Sequence, residues 1–145
     1  MNLIWGIILI IFTMILGWFA QIINALSPTL AGRLGLNEPE SDVDPTFFVD
    51  TRGEAIWDVM IIWTLPVAGI LLILNSPLWA YFGLVGGGSY LYFAGRGIVV
   101  RLVMQRQAIR VGKSGTLKLY FLFLILWGLI AVVTIILAVA ALPHP

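Results

Sequence analysis

The chain has no cysteine, a single histidine, and charged side chains at only 10% of its 145 positions. The first absence excludes disulfides, thiolate chemistry and cysteine-ligated zinc or iron–sulfur centres, and leaves the redox compartment unread. The second removes the base or ligand set that serine hydrolases and metal hydrolases need. The one imidazole is His144, between two prolines in the C-terminal tail, and no other histidine is there to hold a haem, a chlorophyll or a metal. No cofactor is therefore predicted; a cavity for a flat apolar ligand such as a quinone or carotenoid is compatible with the sequence, which does not select it. Acid is missing outside one window, since all seven Asp and Glu residues lie between Glu38 and Asp58. From Arg96 to Lys118 there are six basic residues and no acid.

Partial motifs fail on particular positions. Gly112-Lys113-Ser114 resembles the end of a phosphate-binding loop, but Gln107 stands where the first glycine belongs. Gly86-Gly87-Gly88 meets Leu91 where a dinucleotide fingerprint needs its last glycine. Asp42 and Asp44 lack the later oxygen ligands of a calcium loop, and an exposed carboxylate pair reads as a solvated face rather than acid–base machinery. The expectation is a protein that is not an enzyme.

What the chain does have is apolar length. It is 61% hydrophobic with mean hydropathy +1.04, outside the range of soluble domains. A membrane-spanning helix needs ~20 apolar residues, and four such stretches fit, at about 3–25, 54–74, 78–100 and 119–142. The expected fold is an all-α integral membrane protein, one membrane domain over 1–145, with four transmembrane helices in an up-down-up-down bundle. The first stretch has no positive leader and no convincing cleavage site, so it reads as a retained span rather than a signal peptide. Ser27-Pro28 suits a new helix start, giving a short interfacial helix over Thr29 to Leu36. Asn37-Glu38-Pro39-Glu40 and Val43-Asp44-Pro45 read as breaks in an irregular acidic loop, and Asn75-Ser76-Pro77 as a tight turn. The polar loops are then about 27–53 and 101–118, with the third helix continuing into the basic segment until residues 111–115.

All eight Lys and Arg residues fall in or beside those two loops, which emerge on one face. The positive-inside bias places that face in the cytoplasm of a cell inner (plasma) membrane and both termini outside. Mirroring the second and third spans about Ser76 puts Asp58 and Arg96 within ~3 Å of one another in depth. Glu54 similarly matches Arg96 and Arg101. These four residues read as an ion pair near the interface, or as the charged mouth of a pore. On a continuing helix, Arg106, Arg110 and Lys113 share about 60° and form a basic stripe. Anionic lipid headgroups are its natural partner, the acidic loop a competing one, and nucleic acid is not expected because stacking aromatics are missing.

Two packing seams are legible. Thr13, Gly17, Gln21 and Asn24 make one small polar stripe on the first span, and Gly83 and Gly87 form a G-x-x-x-G pair on the third. Pro66 removes a backbone donor inside the second span and favours a kink. Trp5, Trp79 and Tyr81 suit one interfacial belt, Trp57 and Tyr120 the other, and Trp63 and Trp127 fall near mid-membrane. These features point to a non-catalytic accessory or scaffold subunit that packs against another integral membrane protein or against itself. The second reading is a small oligomeric transporter or channel whose mouth is lined by Glu54, Asp58, Arg96 and Arg101.

Overall fold

A computed structural model describes residues 2–142, so His144 and the rest of the tail lie outside the described residues. The described chain is helical, without strands. Helix α1 (Asn2–Leu26) is followed by the short α2 (Pro28–Arg33), then α3 (Pro45–Ile73), α4 (Trp79–Arg106) and α5 (Ser114–Ala141). Three of them, α1, α3 and α5, are long and apolar enough to cross a membrane. Helix α4 equals α5 in length at 28 residues, but six glycines, three tyrosines and three arginines dilute its apolar character.

The chain between α1 and α3 is more ordered than an irregular loop. Ser27 Oγ accepts from Leu30 N at 3.4 Å and Pro28 opens α2, as the Ser-Pro pair predicts. Asp44-Pro45 repeats the device: Asp44 Oδ1 accepts from Thr46 N at 2.9 Å, and α3 begins at Pro45 rather than near residue 54. This cap lowers the Asp44 carboxyl pKa, because the Thr46 amide stabilises the charged form. At 29 residues α3 is ~43 Å long, well beyond the ~30 Å of a bilayer core, so its first turns rise into the polar end of the molecule. It is interrupted at Ile62–Trp63, between segments Pro45–Ile61 and Thr64–Ile73, three residues before Pro66.

The basic segment also departs from expectation. Helix α4 stops at Arg106, and Ala108 takes a left-handed φ of 59°. The chain then turns so that Val111 bridges Val43 and the Arg110 carbonyl accepts from Asp44 N at 2.8 Å. Val43, Phe47, Val111 and Leu117 bury a small cluster under this junction, which binds the acidic and basic segments into one cap. Gly112 sits there at φ 126°, where an added Cβ would also stand 2.9 Å from Glu38 Cγ. Helix α5 consequently starts at Ser114 instead of residue 119.

Helices adjacent in sequence run antiparallel and close together. Gly6 packs on Ile73 and Gly69 on Leu9, joining α1 to α3. Gly86 lies against the Leu65 backbone, joining α3 to α4. A Cβ at Gly83 would stand 3.3 Å from that of Ala138, and one at Gly87 2.6 Å from Ile135 Cγ1, so the G-x-x-x-G pair forms the α4–α5 seam. The middle of α1, Ile10–Trp18, is wound as a π-helix. Its carbonyls meet donors from two other helices. Trp127 Nε1 donates to Phe12 O at 2.7 Å, and the buried Tyr90 hydroxyl donates to Thr13 O. Thr13 Oγ1 itself donates to Leu9 O at 2.6 Å. In an apolar interior such bonds hold helices in register because no water competes for the carbonyls.

Candidate functional site

Where the apolar rods meet the cap, polar side chains from every long helix form one layer. On α3, Asp50, Glu54 and Asp58 recur every four residues and so share a face. Arg96 of α4 reaches this face, with Nη2 at 2.7 Å from Asp50 Oδ1 and Nη1 at 2.9 Å from Glu54 Oε1. The second contact is bent out of hydrogen-bond geometry, so Glu54 Oε1 and Arg96 Nη1 lack a hydrogen-bond partner among the described residues. The expected Asp58–Arg96 pair is not formed. Arg96 extends its long side chain toward the polar cap and meets the acids one and two turns nearer the cap. Asp58 is left 1% exposed, and its Oδ2 has no hydrogen-bond partner among the described residues.

Arg101 does not pair with Glu54 either. It folds onto the loop acid Glu38, with Nη2 3.3 Å from Oε1, while Nη1 donates to Gly97 O at 3.1 Å. Phe47 and Tyr120 lie beside its guanidinium, 5.2 and 5.8 Å from the ring centroids. Burial pushes the Glu38 carboxyl above its ordinary range, and Arg101 opposes that shift without cancelling it. Sequence reasoning missed Glu38 because its partner is set by how the loop folds back, and spacing along one helix says nothing about that.

The expected basic stripe is broken up by the end of α4. Arg106 is exposed, Arg110 Nη2 donates to Val43 O at 3.4 Å, and Lys113 Nζ stands 2.9 Å from Asp42 Oδ2. The latter two thus engage the acidic segment, which the sequence offers as the competing partner.

The polar stripe on α1 faces protein. Thr13 and Asn24 are buried, Gly17 abuts Tyr90, and Asn37 Nδ2 donates to Asn24 Oδ1 at 3.1 Å. Gln21 faces a cavity of about 130 Å³, open on one side and lined by α1, the turn at residues 35–37, α3, α4 and α5. Its polar end presents Asn24, Asn37, Glu54 and Arg101, and its walls are Phe93, Phe123 and Trp127. Of the four residues proposed for a pore mouth, Glu54 and Arg101 line this cavity, while Asp58 and Arg96 do not. No known protein family, curated protein or solved structure matches this chain, and its own residues carry the functional reading.

Proposed function

We propose that the chain is a four-span membrane protein in which α4 is the additional span, with an up-down-up-down course, a cytoplasmic cap and both termini outside. We further propose that it acts as a non-catalytic accessory subunit docked against a transmembrane helix of another integral membrane protein. The α4 span is supported by its burial along α3 and α5, where the glycines that dilute its hydropathy serve as contact surface. The proposed orientation is supported by the cap, which gathers the Lys and Arg side chains at one end.

One observation carries the docking role. Gly83, Gly86 and Gly87 are consumed by internal packing, but Gly88 and Gly95 have open space where a Cβ would be. With exposed Tyr92 between them they form a stripe of bare backbone on the outer face of α4. Such backbone exposed within a span lets a neighbouring helix approach closely, and a tyrosine at that depth gains a hydrogen-bond partner from it. The test is purification of the tagged protein from native membranes in a mild detergent. Stoichiometric recovery of a larger assembly, lost in Gly88→Ile/Gly95→Ile without loss of the folded chain, is the expected result. Recovery as a lone chain or a homo-oligomer with specific solute flux would replace the accessory role with transport.

A further inference from the structure

The cavity beside Gln21 has features that neither helix packing nor the accessory role requires. Its volume of about 130 Å³ is close to the ~150 Å³ of a cavity that admits a benzene ring. One end is polar and the other aromatic. Phe93 and Phe123 flank Trp127 with ring centroids 5.5 and 5.6 Å away, a wall suited to a flat ring. The Trp127 indole is fixed by its bond to Phe12 O, so this wall is held in place.

Charge narrows the occupant. Arg101 is already held by Glu38, and Arg96 is shared by Asp50 and Glu54. Of these charged groups only Arg101 and Glu54 line the cavity, and with Arg101 already held by Glu38 an anionic headgroup would add like charge beside the largely buried Glu54. Hydrogen-bonding capacity is available instead. The Asn24–Asn37 bond uses one donor and one acceptor, leaving the remaining amide groups of both residues beside the Gln21 amide. Leu16 and Ala20 on α1 and Phe123 on α5, all partly exposed, form the rim toward the apolar outer surface.

We propose that this cavity binds the flat, uncharged, hydrogen-bonding ring of a lipid-soluble quinone-type molecule, whose apolar tail leaves past Leu16 between α1 and α5. Only the tail's path rests on the membrane reading, and the bare face of α4 plays no part. The test is equilibrium dialysis of the purified full chain in mild detergent with a decyl-substituted benzoquinone, followed in parallel by tryptophan quenching. Saturable single-site binding is expected. Gln21→Leu should weaken it about tenfold through loss of a hydrogen bond inside the site, and Ala20→Phe should abolish it by filling the space. Unchanged elution and thermal transition show that each variant is folded, and Gln21→Leu decides the matter where Ala20→Phe is not. Unsaturable partitioning, or equal affinity in the original chain and a folded variant, would overturn the proposal. So would tight retention of a phospholipid that phosphatidylglycerol exchanges and the quinone does not.

Discussion

Glu38 and Arg101 show what a buried charge requires. Their side chains are 1% and 9% exposed, so each has surrendered water and relies on the other. Removing only the cation leaves an uncompensated carboxylate, and Arg101→Gln is expected to destabilise the protein by about 3–5 kcal/mol, read by thermal unfolding in detergent. Because burial raises the Glu38 pKa and Arg101 opposes that rise, the same substitution should move the Glu38 titration further above 4.5. Side-chain NMR with labelled glutamate measures this, and a downward shift would show that Arg101 does not govern Glu38. The linkage sign follows from the raised value. Glu38 contributes its stability fully below its unfolded pKa, and loses it as pH rises through the folded one.

At the scale of elements, the end of α4 is the most informative feature. Met104-Gln105-Arg106-Gln107-Ala108 has no helix-stopping residue, and alanine is the strongest helix former. The helix nevertheless stops, because the Val43–Val111 junction and the Asp44 N to Arg110 O bond draw the chain back over the cap. Ala108 is left in the left-handed region, which costs an L-residue about 1–2 kcal/mol. Ala108→Gly is therefore expected to raise stability by about 1 kcal/mol despite its poorer helix propensity. Lower stability in a denaturation series would mean that the helix continues through 108. The start of α3 teaches the opposite lesson. Asp44-Pro45 carries the same cap-and-proline signal as Ser27-Pro28, and its helix start was legible in the sequence even though reading the pair as a break hides it.

Across the whole molecule, the segregation of charge makes one end polar and the other apolar. The lack of cysteine makes that polarity directly testable, since any introduced thiol is unique. Under the proposed orientation, Ser76→Cys at the turn before α4 should react with a membrane-impermeant maleimide on intact cells, whereas Gln107→Cys, exposed just after α4 at the cap, should react only after permeabilisation. The reverse pattern would invert the molecule, and labelling of both sites from outside would remove α4 as a span. The apolar surfaces on the outside of α1, α3 and α5 suit hydrocarbon, and the proposed partner helix is assigned to the bare glycines of α4.

The sequence by itself determined the helical class, the three strongly apolar helices, the turn at Asn75-Ser76-Pro77 and the small polar stripe on α1. Each depends on composition or on spacing within a single element, where 3.6-residue periodicity and turn chemistry act locally. The tertiary structure decided which charges pair, where α4 ends, and which glycines are spent internally. Gly87 and Gly88 are neighbours in the chain, yet one fits against Ile135 and the other faces open space, because helix rotation is fixed by packing. Arg96 and Arg101 likewise select Asp50, Glu54 and Glu38 through side-chain reach and loop folding. Long-range contacts of that kind, and the cavity they form, come from the simultaneous fit of several elements, which spacing along any one of them does not encode.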